Sequence, residues 1–178
     1  MRKNDLGFTL IELLMVVAII GVLAAVAIPG LLRARMAGNE ASAIGSMRAI
    51  NEGEAAFHTS CGAGGYAIDL ADLVKPPVGG GQGFLSPDLR SNGVIKSGYT
   101  VNLEKDASAG TVDVGSAAST CNGSTNTPAS SYYANADPIT PGGTGMRFFA
   151  TDVRGTLFFS SAATVPNPIP AAAMSVVQ

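Results

Sequence analysis

The chain has no tryptophan, one histidine and two cysteines, and only 13% of its residues are charged. Each shortage removes a class of function. With Cys61 and Cys121 alone, and no Cys-x-x-Cys pair or Cys/His cluster, zinc and haem sites lack ligands at the right spacing. The one histidine, His58, has no serine, cysteine or aspartate at a spacing that marks a nucleophile and its base. It reads as a helix-end residue, favourable at a C-terminal dipole. A formal net charge of −2 leaves no basic footprint for nucleic acid. Asp106, Asp113, Asp137 and Asp152 are scattered, without the close acidic spacing of a calcium loop. The run Gly79-Gly80-Gly81-Gln82-Gly83 neither follows a strand nor opens a helix, as a phosphate loop must. No catalytic residue, metal or cofactor is expected.

What the chain has instead is a front-loaded apolar segment. Leu13 to Leu32 contains only Leu, Met, Val, Ala, Ile, Gly and Pro, which meets the roughly 20-residue requirement for a membrane span. Arg2 and Lys3 lie before it, Arg33 and Arg35 after it, so the count of flanking positive charge does not fix orientation. Glu12 sits in the first turns of this segment. At the centre of a membrane helix an ionised side chain costs roughly 2.5–3.5 kcal/mol on lenient insertion scales; near the end it costs less, but it still calls for a partner.

Three readings compete for this segment. A secretory signal peptide would use Arg2-Lys3 as its basic region and Ala25-Val26-Ala27 as its cleavage site, but the apolar run continues past that site. A plain signal anchor explains the run and leaves Glu12 without a purpose. The third reading uses every residue. Met1–Gly7 followed by Phe8-Thr9-Leu10-Ile11-Glu12 resembles the class III leader and mature start of type IV pilins and pseudopilins. The resemblance implies cleavage between Gly7 and Phe8 by a prepilin peptidase, N-methylation of Phe8, and an assembly role for Glu12. In that family the glutamate is thought to pair with the new amine of a neighbouring subunit; pairing with its own amine is the alternative. An opposite charge nearby would offset part of the desolvation cost of both groups.

The implied protein is a structural subunit, a homopolymer built with the pilus assembly machinery of the bacterial inner membrane. The precursor would sit in that membrane and the assembled form would be an extracellular pilus. The alternative is a pseudopilin of a type II secretion system, whose N-terminus would look the same. The expected divisions are a leader over 1–7, a filament-core helix over 8–32, an amphipathic helix half over 33–59 and a head domain over 60–178.

The expected fold is α+β, a long N-terminal helix packed on a small antiparallel sheet. A helix from Phe8 to Thr59 would measure roughly 78 Å at the standard rise. Its first half would meet other subunits and its second half its own head. Met36, Ala43, Met47, Ile50 and Phe57 share one helical face, while Glu40 and Glu54 fall close to the same stripe. Gly21, Pro29 and Gly30 are expected to interrupt the helix, since proline removes a backbone donor and glycine adds freedom; pilins carry similar residues around a stretch that loses helicity in the filament. Phe8 is the one aromatic residue of the apolar segment, so no aromatic ladder is expected there.

Beyond the helix, a short helix is expected near Asp69 to Val74, stopped by Pro76-Pro77. Strands are expected over Gly98–Leu103, Ser131–Ala136, Arg147–Asp152 and Thr156–Ser160, the last two joined by a turn with Asp152 first and Gly155 fourth. Thr144 to Leu157 also resembles the closing hairpin of some bacterial pilin-like proteins. Tyr99, Val101, Leu103, Tyr132, Phe148, Leu157 and Phe159 are candidate core residues, with the second face of the sheet exposed or under a loop. Residues 104–130 read as a low-complexity surface loop, tied down by a disulfide between Cys61 and Cys121 if the chain is exported. Asn122-Gly123-Ser124 has the form of a glycosylation site. Ala171–Gln178 reads as a loose tail.

Overall fold

Helix α1 spans Leu10–Ser60. It belongs to a computed structural model that describes residues 7–170 and 174–177, so most of the expected leader, Met1–Leu6, lies outside the described residues. The chain divides into two units after Arg35, and each is described by itself.

In the first unit α1 begins at Leu10, two residues later than expected, because Thr9 caps it. Residues Phe8 to Leu32 are almost entirely exposed, as expected of a surface built to meet lipid or other helices. The expected interruption is not seen. α1 stays helical through Gly21, Pro29 and Gly30. One proline deletes a single backbone donor, and the bonds on either side carry the helix past it.

In the second unit, from Met36 on, Ala43, Met47, Ile50 and Phe57 are buried, and Met36 is half-buried. α1 ends where the Cys61 and Gly62 amides both donate to the Phe57 carbonyl, at 2.8 and 2.7 Å. Gly62 is required there, since a β-carbon would lie 2.2 Å from the Gly65 carbonyl. Helix α2 follows over Leu70–Val74, capped by Asp69, whose carboxylate accepts from the Ala71 amide.

The sheet has six strands, two more than expected: β1 Val94–Lys96, β2 Tyr99–Lys105, β3 Tyr132–Pro138, β4 Phe148–Asp152, β5 Leu157–Ser160 and β6 Ser175–Val176. Every strand is antiparallel to the next in the chain, so spatial order equals chain order. The turn from β4 to β5 is closed by the Gly155 amide donating to Asp152 O at 2.8 Å, with Gly155 at φ +67°. The expected tail is only partly a tail. Ser175 and Val176 pair with Phe159 and Phe158 and cover the β5 edge.

One sheet face packs on α1. Tyr99, Val101, Leu103, Tyr132, Ala134, Ala136, Phe149 and Leu157 form one core with the buried α1 residues. Phe149, not Phe148, faces the helix. Phe148 was the expected core residue, and the pairing of Phe149 with Ala136 puts its neighbour there instead. The second face is covered: Tyr133, Ala150 and Phe158 pack under Val165 and Ile169, and the Tyr133 hydroxyl donates to Val165 O.

Cys61 and Cys121 form a disulfide 60 residues apart in sequence. Residues 104–130 are therefore less of a surface loop than expected. Glu104 and Lys105 belong to β2, and Asn122 is buried with its amide donating to Asp72 O and Lys75 O. That burial leaves the Asn122 sequon closed to modification. Closing a loop of this length contributes about 4 kcal/mol by chain entropy. The Cys61→Ser/Cys121→Ser double variant should lose about 2–5 kcal/mol in urea unfolding. A midpoint unchanged from the parent would show that the hydrogen bonds of the 121–126 segment to Asp72 and Lys75 hold it without the cross-link.

Candidate functional site

At the N-terminus Thr9 and Glu12 form one hydrogen-bonded turn, and Gly7 and Phe8 lie just before it. Gly7 and Phe8 precede α1 in extended or irregular backbone, and Phe8 is 81% exposed. A Gly7–Phe8 bond placed before the helix is open to an enzyme that must bind the chain in a non-helical form.

Thr9 and Glu12 form a reciprocal cap. The Glu12 amide donates to Thr9 Oγ1 at 3.3 Å. Glu12 Oε2 accepts from the Thr9 amide at 3.0 Å and from the Thr9 hydroxyl at 2.6 Å. This is a capping box, with the threonine at the N-cap and the glutamate three residues on. It satisfies donors that a helix start otherwise leaves without partners, and it sets a carboxylate where the helix dipole is positive. The signal, Thr-x-x-Glu, stood in the sequence; the weight given to Glu12 as a charge hid its role as a cap.

The geometry also fixes what a cut at Gly7–Phe8 would do. The new amine would belong to Phe8, one residue from the amide that already donates to Glu12. The new charge would thus lie one residue along the chain from the Thr9 donors that hold the Glu12 carboxylate. The remaining oxygen, Oε1, makes no hydrogen bond within the described residues.

Gly21, Pro29 and Gly30 lie along the same exposed apolar stretch, with open space where a β-carbon on either glycine would sit. The disulfide cysteines belong to the second unit. His58 is in the last turn of α1, stacked on Tyr66 at 4.4 Å between ring centroids. Its Nδ1 is buried without a partner. Among the described residues no three metal-binding side chains converge.

The two carboxylates on the buried stripe have partners that the sequence could not supply. Glu40 accepts from the Met146 amide at 2.8 Å and from Arg147 Nε at 2.8 Å, and Arg147 also lies over the rings of Phe149 and Phe159. Glu54 is fully buried, accepting from the Ala67 amide at 2.9 Å, with Oε1 unpartnered. Burial pushes its carboxyl well above the ordinary range.

Residues 2–28 match the family described as the prokaryotic N-terminal methylation motif. A stretch of 38 residues is 63% identical to the type IV wide pilus major component PilA4 of Thermus thermophilus. That stretch is 21% of this chain and 29% of the relative, so the chain spans under a third of the length of the curated relative it matches. No solved structure matches the chain.

Proposed function

We propose that the chain, whose N-terminal region is similar to that of a type IV pilin, is a structural subunit of a type IV pilus-like filament. A prepilin peptidase would cut between Gly7 and Phe8 and methylate Phe8. Glu12 would then set the stagger between subunits by pairing with the Phe8 amine of a neighbour. The exposed apolar stretch from Phe8 to Leu32 is the observation that carries this reading. It holds the precursor in the bacterial inner membrane, and in the filament it is buried among copies of itself. Gly21, Pro29 and Gly30 give that stretch a place to unwind when the copies pack. The role is structural and no chemistry is asked of the head domain.

A match to a wide-pilus major component favours a surface pilus over a pseudopilin piston of type II secretion. Long filaments containing this chain in sheared surface fractions, seen by electron microscopy, are the expected result. Mass spectrometry of the mature N-terminus tests the processing step. The expected species starts at N-methylated Phe8. A mature chain starting at Ile28 would mean an ordinary signal peptide and end this reading.

A further inference from the structure

The second face of the sheet holds a polar pair that its neighbours satisfy only in part. Tyr133, Asn135 and Asp137 alternate onto that face along β3. Asn135 Nδ2 donates to Asp137 Oδ2 at 2.8 Å, and the Thr164 hydroxyl donates to the same oxygen at 3.0 Å. Asn135 is 5% exposed. Two buried oxygens are left over, Asn135 Oδ1 and Asp137 Oδ1, and neither has a donor. They belong to two groups already joined by a hydrogen bond, yet as two acceptors they cannot satisfy each other. Burial without a donor is costly for both.

One proton resolves the pair. A neutral carboxyl keeps Oδ2 as a carbonyl oxygen, whose two lone pairs serve Asn135 Nδ2 and the Thr164 hydroxyl. Its other oxygen becomes a hydroxyl, a donor for Asn135 Oδ1. Every polar atom of the cluster then has a partner, whereas the carboxylate leaves both Oδ1 atoms without one. Burial acts in the same direction and pushes the Asp137 carboxyl up from the ordinary 3.8. Among the described residues Asp137 is in no ion pair. Thr100 lies opposite it on β2, β4 presents Phe148 and Ala150 to this face, and residues 161–170 contain no titratable side chain. The ionisable groups of the face sit four residues along β3: Tyr133, with Glu104 opposite it on β2 and Asp152 opposite it on β4, the last already holding Arg154.

The pair pins one end of a strap. Residues 161–165 leave β5 and cross the face. Thr164 is bound to Asp137, and Val165, 1% exposed, packs with Tyr133, Ala150 and Phe158 while its carbonyl accepts from the Tyr133 hydroxyl. Further on, the strap is held by a residue that does not titrate. Asn167 Oδ1 accepts from the Ala107 amide at 2.8 Å, and its Nδ2 donates to Lys105 O at 3.0 Å.

We propose that Asp137 is a proton latch on this strap. Neutral, it donates to Asn135 and keeps 161–165 seated. When it loses that proton to solvent, 161–165 lifts about the anchored Asn167 and uncovers the apolar patch of Tyr133, Ala150 and Phe158. The seated form binds the proton more tightly than the lifted form, whose aspartate is ordinary. Seating is therefore fully favoured below 3.8 and weakens as pH rises, by up to about tenfold in the seated-to-lifted ratio per pH unit, until Asp137 is ionised in both forms. The latch lies within the second unit and stands whether or not the chain polymerises.

The test uses the full chain in non-ionic detergent with Glu54→Gln throughout, which removes the other buried, raised carboxyl. Val165→Cys or Ile169→Cys supplies the one reactive thiol, since Cys61 and Cys121 are paired. Labelling by dithiodipyridine is followed from pH 4 to 8, each rate divided by that of a short unfolded peptide at the same pH. The Asp137 carboxyl is titrated in parallel by carbon-13 NMR. The expected result is a corrected rate at 165 that rises with pH and levels off where the carboxyl titrates, beside a flat rate at 169. Asp137→Asn places a permanent amide donor toward Asn135 and should keep 165 slow and flat over the whole range. A carboxyl that titrates at or below 3.8 overturns the latch, since a donor other than its own proton then serves Oδ1. So does a rise at 165 that persists in Asp137→Asn, or an equal rise at 165 and 169. Labelling slowed by added calcium chloride also overturns it, because a cation would then be what the two oxygens share.

Discussion

Glu12→Val should give a protein that enters the membrane, loses its leader and forms no filaments. Valine lowers the cost of insertion, so the precursor is not lost at that step. The variant removes two things at once: the carboxylate that the Thr9 amide and hydroxyl hold at 3.0 and 2.6 Å, and the negative charge that would face the Phe8 amine. Glu12→Gln separates them. Glutamine at the third helical position preserves a capping box while carrying no charge. If intersubunit ion pairing drives assembly, Glu12→Gln fails as Glu12→Val does. If Glu12 only caps α1, Glu12→Gln makes filaments at the parent level. Electron microscopy of sheared fractions, with mass spectrometry of the N-terminus as the control for processing, reads both. Normal filaments from Glu12→Val would end the assembly role of this residue.

A second large effect is expected from Glu54, through pH. Its carboxyl is fully buried and only one oxygen has a donor, so burial holds its folded-state value well above the ordinary 4.5. Between 4.5 and that raised value the folded chain keeps a proton that the unfolded chain releases. Stability then falls as pH rises across the window, by up to about 1.4 kcal/mol per pH unit. Below 4.5 both states hold the proton and the penalty vanishes. Asp137, also raised by burial, adds to the same slope, while Asp88 and Asp106, both lowered, act in the opposite direction at more acidic pH. Glu54→Gln keeps an oxygen for the Ala67 amide and removes the ionisation. Urea unfolding in non-ionic detergent should show Glu54→Gln more stable than the parent at pH 7–8, with a flatter profile from pH 4.5 upward. Identical slopes in parent and variant would show that Glu54 gains a compensating partner on ionisation.

These two carboxylates mark where reading the sequence stops. Helical spacing placed Glu40 and Glu54 close to the apolar stripe, because a 3.6-residue period depends only on local geometry, and the structure buries both. What they meet depends on Met146, Arg147 and Ala67, residues brought there by the sheet and by the segment after α1. The four long strands were legible from their β-branched and aromatic content. β1 and β6 were not, being three and two residues long, too short for alternation to show. The choice between Phe148 and Phe149 was invisible for another reason. Adjacent aromatics alternate between faces, and only the register with β3 tells which one turns inward. At the N-terminus the Thr-x-x-Glu pattern stood in the sequence, since a cap acts through near neighbours, but it was read as a charge and not as a cap.

The chain-order sheet has a consequence for how the head is made. Each strand pairs with the one just before it, so a chain delivered across a membrane from its N-terminus can add strands in the order of their arrival. Cys61 and Cys121 are both delivered before β3, β4, β5 and β6. The cross-link can thus close while more than half of the strands have yet to arrive. The two-residue β6 comes last and covers the open β5 edge. Until then that edge is free to pair with another chain. A chain that has not yet added β6 is the form most prone to wrong pairing, and adding that short strand is what closes the exposed side of β5.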